Sequence, residues 1–276
     1  MTTPRLSFGI RGLGRHYPWP VQPTDHWPRN RWGSVDPDNV PGDVTPLPSV
    51  TNVLAVLDKP GLKGWAAEQA IRALYGLEAL PWDVEIAVER CKYAFNQRAE
   101  ERADVGTTAH TIAERLTRDL PLPSDLSDED EAYADAYMKW WQDADPQVIA
   151  VEATVYHPEV GYAGTADLFA AVDGAVTVVD YKTRGKAPTQ TNLRRYGLLY
   201  ETNKMQLAAL ARATYLADLD EMGVDPAPEV VRALGVVLLP DGSYLTQTLE
   251  GAELERWYSS FVGAVQVWRG VRGVAA

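Results

Sequence analysis

Asp180 and Lys182 stand two residues apart in Val178-Val179-Asp180-Tyr181-Lys182. On a strand, that spacing turns both side chains to one face. Upstream, Asp167 follows Gly164-Thr165-Ala166, and Asp173-Gly174 between the two runs is a tight-turn signal. A hairpin about that turn lays the runs side by side at about 4.8 Å, so two carboxylates and an amine converge. Carboxylates held that close repel each other unless a divalent cation lies between them. An amine beside such an ion can orient or deprotonate a water and offset charge on a phosphate. Taken alone, Asp and Lys two apart on a strand are an ordinary same-face ion pair. The setting argues for more, because Asp180 interrupts an apolar run in which a charge is costly to bury. Asp167 repeats the anomaly on the neighbouring run.

Other residues could join this centre. His110 follows Gly106-Thr-Thr-Ala on a predicted helix, with Glu114 one turn later on the same face; a lone helical histidine is more often simply packed or solvated. Glu152 lies in the strand before Asp167, as an additional carboxylate or as the exposed side of an edge strand. Gln206 opens a helix after a basic stretch, where its amide could bond a phosphate or a nucleophilic water. Lys186, Arg194, Arg195 and Lys204 are candidate contacts to a nucleic-acid backbone, with solvated surface charge as the plain alternative.

The elements that must position these residues follow from periodicity. Residues 1–48 are rich in proline and show neither helical nor strand period, so they read as an irregular arm with Tyr17, Trp19, Trp27 and Trp32 among arginines. Helical spacing begins at Val50, Val53, Leu54 and Leu57 and continues over Leu62 to Leu77. A longer helix is predicted over Trp82 to Arg102, and a separate one capped by Thr107 or Thr108 running to Thr117. Ser127 opens another, with Asp128, Glu129 and Asp130 suited to its N-terminal dipole. Strands follow at Val148–Tyr156, Tyr162–Val172 and Ala175–Lys182, then a helix over Asn203–Leu219. Strands at Val230–Leu239 and Tyr244–Leu249, around Asp241-Gly242, precede a closing helix over Glu253–Arg269. The fold class expected is α/β, a mixed sheet flanked by helices. The helical portion spans about 49–145, a core about 146–250 and the C-terminal helix 251–270.

Composition narrows the classes. The chain has 276 residues, 46% hydrophobic and 23% charged, which is globular. Its net charge of −12 argues against general coating of nucleic acid and requires any basic track to be local. Two places qualify: the arm, with Arg5, Arg11, Arg15, Arg29 and Arg31, and the stretch from Lys182 to Lys204. The single cysteine, Cys91, excludes an internal disulfide and thiolate-bound zinc or iron–sulfur clusters. No apolar run approaches the roughly 18 to 20 residues that span a bilayer, and no signal peptide is evident, so the expectation is a cytoplasmic protein without a membrane partner.

The order Gly106-x-x-x-His110, Gly164-x-x-Asp167, Asp180-x-Lys182, Gln206 resembles the RecB-like exonucleases, a branch of the PD-(D/E)XK superfamily. Pro48-Ser-Val-Thr51 through Lys59-Pro60 and Gly64-Trp-Ala-Ala67 resembles the opening of phage-encoded, CRISPR-associated-exonuclease-like members. The resemblance covers about Ser49 to Leu219. It implies a restriction-endonuclease-like core over 49–276 and hydrolysis of DNA phosphodiesters leaving a 5′-phosphate. By the same resemblance His110, Asp167, Asp180 and the backbone carbonyl of Tyr181 would ligate magnesium or manganese, with Glu152 as an additional carboxylate. Lys182 would position the attacking water, and Gln206 would support the nucleophile or substrate. The implied partners are DNA, as single- or double-stranded linear ends, and recombination or replication proteins, in a bacterial or phage-infected cytoplasm. The chain departs from the pattern twice. It lacks the four cysteines of CRISPR-associated relatives, and the tyrosine four residues after the glutamine is Leu210 here, with Tyr215 on the same predicted helix as a substitute. The alternatives are a structure-specific endonuclease using the same centre and an inactive DNA-binding module.

Overall fold

The computed structural model describes residues 5–10, 12–30, 33–57, 60–76, 83–218 and 223–273. Arg11, Arg31, Trp32, Lys59, Leu77 and Trp82, and the side chain of Arg195, lie outside the described residues.

The N-terminal arm holds more order than its proline content suggests. Strands β1 (Phe8–Ile10), β2 (Gly14–Trp19) and β3 (Thr45–Pro48) form a small antiparallel sheet. Its described aromatic residues pack inward: Phe8 and Trp27 join Ile10, Val35 and Val44 in one cluster. Tyr17 and Leu47 join Tyr156 and Ala163 of the main body in another. Trp19 lies 5.6 Å from the Tyr156 ring and 5.4 Å from that of Tyr215, and Arg29 donates to the carbonyls of Thr24 and Gly33. These residues therefore belong to an arm packed across the domain, not to a free stacking surface.

Helix α1 (Val50–Leu54) starts at Ser49, whose hydroxyl accepts from Asn52 N. Helix α2 (Pro60–Tyr75) is followed by α3 (Val84–Thr117), capped by Asp83 accepting from Glu85 N at 2.8 Å. The sequence suggested two helices here, and the structure has one of 34 residues. Gly106 costs an interior helix only about 1 kcal/mol. Thr107 does not cap; its carbonyl accepts a hydrogen bond from the Thr111 hydroxyl at 3.0 Å within the continuous helix. Helix α4 (Asp128–Ala144) carries a reciprocal Ser127–Asp130 capping box and the acidic first turn expected.

Strands β4 (Gln147–His157), β5 (Tyr162–Val172) and β6 (Ala175–Thr183) form the expected antiparallel meander. Asp173 (φ 50°) and Gly174 (φ 74°) give the β5–β6 hairpin two left-handed turn residues. Helix α5 (Gln190–Tyr196) and helix α6 (Glu201–Ala211) then cross over. The helix predicted over Asn203–Leu219 ends early, because Thr214 N donates to Tyr156 O at 2.9 Å and pulls the chain into the sheet. Tyr215 therefore begins β7 (Tyr215–Asp218), paired with β8 (Gly223–Pro226), and is not on the helix of Gln206. Strand β9 (Arg232–Leu238) runs parallel to β6, β10 (Tyr244–Glu250) pairs with β9, and α7 (Gly251–Arg272) closes the chain.

The central sheet is thus mixed, with seven strands in the order β10-β9-β6-β5-β4-β7-β8, consistent with a restriction-endonuclease-like core. One face packs against α3 and α4 through Leu168, Val179, Val236, Tyr137 and Trp140. The other packs against α1, α6 and α7 through Phe169, Val178, Leu210, Phe261 and Trp268. Gly164 is required by that second packing, since a Cβ there would lie 2.8 Å from a Leu210 methyl and 3.2 Å from Val50.

Candidate metal centre

Pairing between β5 and β6 runs from Val172↔Ala175 to Leu168↔Val179 and stops. The next opposed pair is Asp167 and Asp180. Beyond this point β5 continues with β4, and β6 continues with β9. The sheet forks at the two carboxylates. Asp167 fills the gap, its Oδ2 accepting from Tyr181 N at 2.7 Å in place of a ladder bond. Helices from opposite faces reach the fork: α3 brings His110, and α6 brings Gln206.

The charges are tightly interlocked. His110 Nδ1 lies 3.2 Å from Asp167 Oδ1. Asp180 forms an ion pair with Lys182 and accepts from Gln206 Nε2 at 2.9 Å. Lys182 also donates to the Tyr181 carbonyl at 3.3 Å. Asp167 is 8% and Asp180 1% exposed, so both are carboxylates removed from water. Burial drives the Asp180 pKa upward against the pull of Lys182. Burial also opposes ionisation of Asp167, but the hydrogen bond and charge of His110, then Lys182, hold its pKa below the ordinary value. For His110, burial disfavours the charged form, yet Asp167 outweighs it and raises the pKa.

Glu152 joins from β4 by an unusual route. It is a non-glycine residue at φ 51° inside a strand, and its register partner Asp167 drops out of the β4–β5 ladder with it. Left-handed backbone of this kind costs on the order of 1–3 kcal/mol and persists only where the surrounding structure over-determines it. Ligand atoms of His110, Glu152 and Asp167 all lie within 4.8 Å of one another. Burial first, and then the charge of Asp167, lift the Glu152 pKa to about 7. One imidazole and hard carboxylate oxygens, with no thiolate among them, suit magnesium or manganese. The Cys91 sulfur is elsewhere, donating to Ala70 O. Tyr181, packed edge-on to Tyr137 and Trp140, walls one side of the centre with aromatic carbon.

The remaining sequence candidates are dispersed. Glu114 pairs with Arg118 at 3.0 Å rather than turning to the centre. Lys186 is exposed and lines a cleft of about 510 Å³ that begins at Lys182. Arg194 is exposed on α5 and does not line it, while Lys204 sits 5.2 Å over the Trp257 ring. Arg184 and Tyr200 also line the cleft and were not singled out from the sequence. Arg184 was legible in principle, as the next same-side position after Lys182. Among the described residues, no helix is long and apolar enough to cross a membrane.

No family model matches the chain, and no curated protein does. Among solved structures, SSO0001 is similar at 12% identity and a TM-score of 0.33, over 76% of this chain and 86% of that one. An alkaline exonuclease from Laribacter hongkongensis, LHK-Exo, is similar at 17% identity and a TM-score of 0.32, over 61% of this chain and 85% of its own.

Proposed function

We propose that this protein is a metal-dependent nuclease of the PD-(D/E)XK type that hydrolyses DNA phosphodiester bonds, as an exonuclease in phage DNA recombination or replication. The observation that carries this reading is the fork itself. Two buried carboxylates, an imidazole, a third carboxylate and an ammonium meet where β5 and β6 part, and the ammonium, Lys182, lines an open cleft. Such a set is expensive to bury without a purpose, because like charges and desolvation both work against it.

His110, Glu152 and Asp167 would hold a magnesium or manganese ion, with Asp180 and the Tyr181 carbonyl completing the set. When bound, the ion supplies Lewis-acid activation of the phosphate and lowers the pKa of a water. Lys182 stands between Asp180 and the Tyr181 carbonyl at the cleft mouth, where its ammonium can orient the water and offset developing charge on the phosphate. Gln206 is a positioning residue, since its amide nitrogen fixes the Asp180 carboxylate. Lys186 offers a cation to the substrate backbone from the cleft wall.

The test is digestion of end-labelled linear DNA beside closed circular DNA, with magnesium and with chelator. Loss of linear DNA alone, only with metal, is the expected result. Nicking of the circle would transfer the site to an endonuclease. Survival of both substrates under saturating magnesium or manganese would reduce the protein to a binding module.

A further inference from the structure

The cleft beside Lys182 is lined by Trp65, Arg184, Lys186, Tyr200 and Asn203. At about 510 Å³ it has the size of a small-ligand site. Tyr200, the residue before α6, keeps 51% of its surface exposed, although neighbouring Leu199 is buried. Arg184 Cζ lies 5.3 Å from the centre of the Tyr200 ring, and Arg184 Nη2 donates to Leu198 O at 2.6 Å. The guanidinium is therefore tied to the same loop that carries the ring, and the two form one preset stacking unit. Arg184 N also donates to Leu238 O at 3.1 Å, extending the β6 ladder one residue past its end. Lys182 and Arg184 thus occupy successive same-side positions, about 6–7 Å apart, which is the step of one extended nucleotide.

We propose that this cleft takes an unpaired DNA base adjacent to the scissile phosphate, stacked on the Tyr200 ring, with Arg184 and Lys186 receiving the flanking phosphates. The substrate is accordingly a single-stranded end. This rests on the nuclease reading. A base inside a duplex has both faces covered by its neighbours and presents none to a tyrosine unless it is first unpaired. The basic residues and the exposed aromatic ring lining this cleft in a net-acidic protein suit a strand whose bases are open.

The test is fluorescence anisotropy of labelled single-stranded and blunt duplex oligonucleotides in chelator, with cleavage of both measured separately in magnesium. Tyr200→Ala should weaken single-strand binding about tenfold, the scale of one lost base stack, and leave duplex binding unchanged. Tyr200→Phe should retain full binding. A 2-aminopurine next to the scissile position should be quenched by the parent protein and Tyr200→Phe, but not by Tyr200→Ala. An abasic residue there should erase the difference among the three. Unchanged single-strand affinity in Tyr200→Ala, or equal losses on single strand and duplex, overturns the base site while leaving nuclease activity standing. If the parent protein neither binds nor cuts either DNA, the nuclease reading fails and this inference fails with it.

Discussion

Glu152 allows chemistry and stability to be read against each other in one substitution. Its carboxyl is partly buried and faces Asp167, and its pKa rises from 4.5 to about 7. In the unfolded chain the group ionises at its ordinary value. Between the two values the native protein holds a proton that the unfolded chain has released, so native stability is full below the ordinary value and declines as pH climbs toward 7. At about pH 8 the displacement corresponds to roughly 3 kcal/mol at full weight. Solvent reaching the partly exposed side chain reduces this to about half. Glu152→Gln removes the charge and keeps the size, and the φ of 51° is retained in both proteins. In chelator at about pH 8, the variant should be more stable than its parent by about 1.5 kcal/mol, measured as a raised urea midpoint at constant slope. At about pH 5 the gap should shrink below about 1 kcal/mol. Manganese should then reverse the order, because ligand binding to the native state stabilises the parent more. A variant no more stable than its parent at the higher pH, or a gap independent of pH, would show that Glu152 is not strained by its neighbours and would refute the reasoning.

Three further outcomes are expected. Lys182→Ala should abolish cleavage while retaining DNA binding, and removing the ammonium from fully buried Asp180 should cost about 3 kcal/mol in urea unfolding; full activity in a folded variant would mean that a different amine serves the water. His16 is 1% exposed, its Nδ1 donates to Gly14 O at 3.0 Å, and burial lowers its pKa to about 4. Stability is therefore complete above the ordinary histidine range and is lost as pH falls through it, by about 2 kcal/mol at about pH 5; His16→Gln should remove that component of the pH slope, and an unaltered slope counts against it. Gly235 lies opposite Asp180, and a Cβ there would overlap the Leu199 side chain. Gly235→Ala should destabilise by about 1–3 kcal/mol through overpacking, seen as a lower melting temperature, and a neutral effect would mean that the segment carrying Tyr200 yields freely.

Much of the centre was legible because it is local. Asp180 and Lys182 obey the period of two, and Asp173-Gly174 fixes a two-residue hairpin, so the opposition of Asp167 and Asp180 follows from counting. The meander and the closing helix were legible for the same reason. Glu152 was legible as a candidate, but its left-handed backbone was not, since nothing in the residue type announces a break in the ladder. The split of the long helix at Gly106 was an error of propensity, where tertiary packing of Ala109 and Ala113 against the sheet overrode a weak breaker. Tyr215 was misplaced because a helical period through Leu207 and Leu210 continues in the sequence after β4 has already captured the chain at Thr214. The N-terminal sheet was hidden for another reason: its strands are three, six and four residues long, and proline interrupts the second and third, so no period registers. Tyr200 and Arg184 meet only through the crossover after β6, a contact that sequence spacing does not encode.

The parting of β5 from β6 has a mechanical consequence. Asp167 is carried by the β4–β5 ribbon and Asp180 by the β6–β9 ribbon, so the acids ride on two bodies joined along a short seam above the hairpin. A cation held by both acids, as proposed above, would act as a clasp across that seam, fixing one ribbon to the other. The amide of Tyr181, donated to Asp167 across the gap, is the natural reporter. Its exchange with solvent should slow when the clasp is shut, while amides of the α6–α7 interface keep their own rate.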